Sequence, residues 1–245
     1  MRVQAAVAIA LLLSGVPTRA QQFLGEIAAG CTALPASHVQ TLTLSADVTR
    51  GSTLIVAAVA DADSLANLIV SDAVGNYFTP MGGYRDPQRK RVAVAMRSPI
   101  KLPLSAGSNI NIQYWMGGSG ESSCAAVYVF RGVAATRAVL DRVGYGAGTS
   151  AAPTLRAMGT TVASSDLVLA VLAYDGSPGA ATFVAPATAL GTHCTGDSAL
   201  CMNGAYFFTA AASTPAVTTN LGASRNWVGL LGTIYADVLF ADDFD

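Results

Sequence analysis

Ser52-Thr53-Leu54-Ile55-Val56-Ala57-Ala58-Val59-Ala60 decides how this chain reads. Thr53 to Val59 is a continuous β-branched and apolar run, with Gly51 before it and Asp61 after it. A run so short, bounded by turn residues, reads as a buried strand. Ser165-Asp166-Leu167-Val168-Leu169-Ala170-Val171-Leu172-Ala173 echoes it. Each run is followed by an acidic, small-residue turn that ends in Ser64 or Ser177. Two buried strands can look alike by composition alone. The echo also suits one sandwich with a similar central strand in each half.

Outward from these runs, short apolar or alternating segments recur between Gly, Asn, Asp and Pro. Strands are expected at Thr41–Ser45, Leu68–Ser71, from Tyr77-Phe78 onward, Arg91–Arg97, Ile110–Trp115, Cys124–Phe130 and Ala138–Val143. Thr160–Val162, Leu167–Tyr174, Ala205–Ala210, Ala216–Thr219 and Trp227–Tyr235 complete the set. Asp72-Ala73-Val74-Gly75-Asn76 reads as a turn. No segment sustains a helical period. About twelve short strands at this spacing predict an all-β, antiparallel β-sandwich or barrel.

The N-terminus differs. Arg2 precedes an uncharged run from Ala5 to Leu13, then Gly15, Pro17 and the small residues Thr18 and Ala20. This is the pattern of a secretory signal peptide over residues 1–20, cleaved after Ala20. The run is too short to span a membrane, which needs about 20 apolar residues. Residues 21–37 then read as a lead-in, 38–236 as a single sandwich domain and 237–245 as an acidic tail. The whole chain carries 14 basic and 15 acidic residues, and loss of Arg2 and Arg19 moves its net charge from −1 to −3. That leaves no basic field for nucleic acid. Charged residues make up only 12%, and 24 glycines accompany them, which fits turn-rich β structure and not a helical bundle.

Cys31, Cys124, Cys194 and Cys201 all lie past the expected cleavage point. An even count in an exported chain favours disulfides. Cys194–Cys201 is the preferred short pair, which leaves Cys31–Cys124. The chain-entropy relation gives roughly 2.5 kcal/mol for the short loop and over 4 for the long one. The rival use is a metal site of His193, Cys194 and Cys201.

Four features occur in order: the buried Leu-Ile-Val strand, Ser71-Asp72-Ala73-Val74-Gly75-Asn76-Tyr77-Phe78, Ser105-Ala106-Gly107-Ser108-Asn109-Ile110, and Val127-Tyr128-Val129-Phe130-Arg131-Gly132-Val133. In this the chain resembles the jelly-roll-type β-sandwich modules of many secreted bacterial proteins, from about Thr41 to Tyr235. It departs from them at Ala126 and Val127, where such modules often carry Glu. The resemblance implies a jelly-roll fold. The tail from Leu239-Phe240 to Phe244-Asp245 is similar to the short Phe-x-Asp-Gly-Phe-Glu ending of some exported gammaproteobacterial proteins, with Asp243 and Asp245 in place of the Gly and Glu. That likeness implies sorting or processing.

Catalytic equipment is sparse. Histidine occurs at His38 and His193 only, and glutamate at Glu26 and Glu121 only. Glu26 falls before the first expected strand. Gly117-Gly118-Ser119-Gly120-Glu121 lacks the strand-turn-helix setting of a nucleophile elbow. Asp61 and Asp63 are two apart, so an extended chain puts them on one face. With Glu121 they are the carboxylates a polysaccharide hydrolase would use. With Asp72 they are the hard oxygen ligands of a structural calcium. No other cofactor is expected. A sugar ligand needs an aromatic face with polar groups beside it. Tyr84, Trp115 and Trp227 are the candidates. Tyr114 and Trp115 are adjacent and must take opposite faces of their strand. The expectation is an extracellular or cell-surface binding module without catalysis, glycan being the favoured partner. A hydrolase and a structural envelope protein with a protein partner are the alternatives.

Overall fold

The computed structural model describes residues 21–61, 65–88, 90–116, 121–133, 140–162, 165–176, 181–197 and 199–236. Its described residues form strands and no helix, and every strand pair is antiparallel. The first eight are β1 (Gln22–Ala33), β2 (Val39–Thr43), β3 (Thr53–Asp61), β4 (Leu65–Asp72), β5 (Thr79–Asp86), β6 (Arg91–Pro99), β7 (Asn109–Met116) and β8 (Ser122–Arg131). They make a five-stranded sheet, β1-β8-β3-β6-β5, and a three-stranded sheet, β2-β7-β4.

The next eight are β9 (Leu140–Ser150), β10 (Thr154–Arg156), β11 (Leu167–Tyr174), β12 (Thr182–Phe183), β13 (Thr188–Cys194), β14 (Cys201–Phe208), β15 (Ala216–Asn220) and β16 (Arg225–Ile234). Their sheets run β9-β16-β11-β14-β13 and β10-β15-β12. This is the first set with every strand number raised by eight. In each half the first strand pairs the last, the second pairs the seventh and the third pairs the sixth. That nested pairing is jelly-roll winding. The antiparallel sandwich therefore occurs twice within the span 38–236 and its flanks.

Three cores separate four layers. Leu54, Val56 and Ala58 of β3 meet Ile110, Ile112 and Tyr114 of β7 in the first. Val168, Ala170 and Leu172 of β11 meet Leu155, Val217 and Trp227 in the third. Between them, Ile55, Ala57 and Val59 of β3 and Tyr128 and Phe130 of β8 share a core with Leu169, Val171, Val228 and Leu230. Both faces of each five-stranded sheet are thus buried, which is why the central strands are apolar at every position. On β6 the face toward the middle core reads Arg91-Ala93-Ala95-Arg97. Small side chains there let the sheets approach, and both arginines are buried at the ends.

Several local expectations are corrected. Gln22–Ala33 is not a lead-in but the edge strand β1, so Glu26 has a fixed place. Its Gly- and Ala-rich sequence, with bulges at Phe23/Gly25 and Glu26/Ala28, hides the strand period. Thr160–Val162 forms no strand; the Val162 amide bonds to the Asp141 carboxylate instead. β10, β12 and β13 lie where no strand was expected. The echoing runs do not match in facing. Leu54 points into the first core, while Leu167 points into the middle one. A one-residue slip reverses facing, and a run with two buried faces carries no mark of it.

Both disulfides form as paired above, Cys31–Cys124 across β1 and β8 and Cys194–Cys201 across β13 and β14. Two such bonds fit an oxidising, extracytoplasmic environment. They also leave no thiol for a metal site with His193. Among the described residues no helix is long and apolar enough to cross a membrane.

Leu169→Ala opens a hole in the middle core where Leu169 is fully buried. Urea unfolding is expected to show a loss of about 2–5 kcal/mol. A loss below about 1 kcal/mol, the size of a surface change, would contradict this packing.

Candidate functional site

The outer face of β2-β7-β4 is the most distinctive exposed surface. β7 is its central strand, and alternation sorts the side chains. Ile110, Ile112 and Tyr114 point into the first core, where the Tyr114 hydroxyl donates to Gln40 Oε1 at 2.9 Å. Asn109, Asn111, Gln113 and Trp115 point outward. Tyr114 and Trp115 thus take opposite faces, 1% and 57% exposed respectively.

Register lines up partners beside this row. Thr43 faces Asn109, Thr41 faces Asn111, and Ser71 flanks Asn111 on the other side. Thr41 Oγ1 donates to Asn111 Oδ1 at 2.9 Å and Thr43 Oγ1 to Asn109 Oδ1 at 3.0 Å. Gln113 Nε2 donates to the Ser37 carbonyl at 3.0 Å. These bonds hold the amides in place and leave the amide nitrogens of Asn109 and Asn111 directed away from their threonine partners. Exposed Ile69 lies beside Gln113, near Trp115. The row from Asn109 to Trp115 is about 20 Å long at strand rise.

The other two aromatic candidates have structural surroundings. Tyr84 on β5 stacks on Tyr145 of β9, ring centroids 5.6 Å apart, along one edge of the middle core. Trp227 is 7% exposed and belongs to the third core. Gly146 and Gly148 of β9 make room for its ring, since a Cβ at Gly146 would stand 2.8 Å from it. Trp227 is therefore no part of an exposed face.

The carboxylate candidates are spread out. Asp61 Oδ1 accepts from Arg91 Nε at 2.9 Å. Burial raises the Asp61 pKa, Arg91 opposes this, and Asp197 and Asp175 add to it. Asp63 lies outside the described residues. Asp72 stands at the far end of its sandwich, near Leu102. Its Oδ1 accepts from the amides of Val74, Gly75 and Asn76, and its Oδ2 from Asn76 Nδ2. Gly75, at φ 87°, supplies the left-handed step of that turn. Asp61 and Asp72 are therefore not brought together. Glu121 sits at the same end as Asp61, because Ala60 pairs with Ser123. Among the described residues no three His, Cys, Asp or Glu side chains are grouped to hold a metal ion.

Two arrangements escaped the sequence. His193 Nε2 and Glu26 Oε2 meet at 3.1 Å, joining β13 to β1 across 167 residues of chain. Asp141 and Asp166 form a buried acid pair. Asp141 accepts from Tyr235, Arg142 and the Val162 amide. Asp166 is fully buried; its backbone exchanges hydrogen bonds with Thr209, while among the described residues its carboxyl oxygens have no well-formed hydrogen bond. Burial, then the charge and carboxyl of Asp141, push its pKa up to about 7, with the Ala236 amide pulling the other way. An acidic residue heading an apolar run gave no sign of this.

Comparison with protein-family models, curated proteins and solved structures gives no match.

The acid pair makes a pH prediction. The folded state keeps the Asp166 proton up to about pH 7, whereas an unfolded chain releases it near its ordinary value of 3.8. Between those values the folded state binds more protons, so this group's contribution to stability falls as pH rises and levels off above 7. Asp166→Asn removes the ionisation. The stability of that variant relative to the parent is expected to climb from pH 4 to pH 7 in thermal unfolding. A difference that does not vary with pH would contradict the pair.

Proposed function

We propose that this chain is an exported, non-catalytic glycan-binding module that uses the outer face of β2-β7-β4. The carrying observation is Trp115, 57% exposed at the end of an ordered row of amides and hydroxyls. An indole offers a broad apolar face for a pyranose ring. Asn109, Asn111, Gln113, Thr41, Thr43 and Ser71 offer donors and acceptors for hydroxyl edges. The length of the row favours a polysaccharide chain lying along β7. No strongly charged group stands in that row, which fits a neutral chain. The signal-like residues 1–20, the cleavage after Ala20 and a destination at the cell surface or beyond belong to the same proposal, and the two disulfides support it.

Hydrolysis has the weaker support. Asp61 and Glu121 share one end of a sheet, but Asp61 is tied to Arg91. A structural envelope role, with a protein partner on the same face, is the third reading.

Trp115→Ala is expected to weaken retention on neutral polysaccharides by about tenfold or more in affinity electrophoresis. Its thermal midpoint should stay near that of the parent, since the ring is at the surface. Unchanged retention, or a glycan array without a binder in the presence and absence of calcium, would overturn the proposal. Release of reducing ends that disappears in Asp61→Asn would establish the hydrolase in its place.

A further inference from the structure

The two sandwiches meet along the middle core, and at one end of that seam a cavity of about 400 Å³ opens, lined by Gln88, Arg91, Asp175 and Asn226. Gln88 lies in the β5–β6 turn and Arg91 begins β6, both in the first sandwich. Asp175 follows β11 and Asn226 lies on β16, both in the second. The volume is within the range of small-molecule sites, which favour such seams.

One buried charge, Arg91, anchors the site, with half-buried Asp175 and exposed Gln88 and Asn226 around it. Arg91 is 7% exposed although it carries a full positive charge. Its Nε is committed to Asp61, and among the described residues its two terminal nitrogens reach the carbonyls of Asn226 at 3.5 Å and Ala199 at 3.3 Å. Those bonds are long for a charged donor. Asp175 is fixed by the Asn226 amide and Asn226 Nδ2, both at 3.0 Å. Asn226 Oδ1 is held by Thr149 at 2.7 Å. The donors and acceptors are thus positioned before any ligand arrives.

Charge selects the ligand class. Asp61 pairs with Arg91 and feels the charges of Asp175 and Asp197, Asp175 lines the cavity with Arg91, and Arg225 bonds the Asp175 carbonyl from the second sandwich. An anion meets the carboxylates and a cation meets the guanidinium groups. A hydroxyl both donates and accepts, so it can bridge Arg91 to Asp175 without either penalty. The described lining residues are all polar, so this cavity offers partners to hydroxyl edges and, unlike the Trp115 face, no ring to stack on.

We propose that this seam cavity is a second binding site, for a neutral polyhydroxylated ligand of about monosaccharide size, separate from the Trp115 face. It goes beyond the Trp115-face reading and does not require it, because none of its residues belongs to that sheet.

The test titrates the full ¹⁵N-labelled chain with D-glucose, D-galactose and N-acetyl-D-glucosamine, and with glucosamine and glucuronate as charged counterparts. The side-chain amide signals of Gln88 and Asn226 are followed. At least one neutral sugar is expected to shift both signals saturably and more tightly than either charged sugar. Gln88→Ala, in an exposed turn, should weaken that binding about tenfold while the Asn226 signal still reports it. Trp115→Ala should leave it unchanged, so failure of the Trp115 face and failure of the cavity are read separately. No saturable shift with any neutral sugar, tighter binding of a charged one, or affinity untouched by Gln88→Ala would each overturn the proposal.

Discussion

The middle core is the constraint on which the rest of the molecule depends. It buries the second face of both five-stranded sheets, so each becomes an interior layer. Interior sheets cannot carry a polar face, because an unpaired polar group away from water costs about 1–3 kcal/mol. Leu54 to Ala60 and Leu167 to Ala173 meet that demand with no polar side chain. Where charge does enter the seam, it stands at the ends, as Arg91 does, and finds Asp61 and second-sandwich carbonyls there.

The same constraint decides where function can reside. With both large sheets enclosed, the broad exposed sheet faces are those of β2-β7-β4 and β10-β15-β12. They are not equivalent. The first carries Trp115 and a row of amides. The second carries Thr154 bonded to Thr218 and has no exposed aromatic ring among its described outward residues. One winding pattern thus presents two different surfaces. The seam adds a third kind of place, where residues from both sandwiches converge around a polar cavity.

Much of the fold was legible. Runs such as Leu167–Tyr174 announced buried strands, the cysteine spacing led to the two disulfides, and Tyr114-Trp115 had to divide between faces. Other features were not, for physical reasons. Facing within a wholly apolar strand leaves no trace, so neither the second sandwich nor the true relation of the echoing runs could be read. Trp227 was a surface candidate until Gly146 and Gly148, some 80 residues away, proved to shelter its ring. Glu26 and His193 meet only because edge strands of the two sandwiches come together. Of the proposed binding face, Trp115 was legible as a candidate. The amide row was not, because it needs β2 and β4 aligned on either side of β7.

Native-state hydrogen exchange tests the central claim most directly. If the middle core makes the two sandwiches one unit, the slowest amides of β3 and β8 and those of β11 and β16 should share one opening free energy, equal to that of global unfolding, and respond alike to denaturant. If β11 and β16 exchange through a separate opening of lower free energy while β3 and β8 stay protected, the sandwiches unfold independently and the seam does not carry the structure.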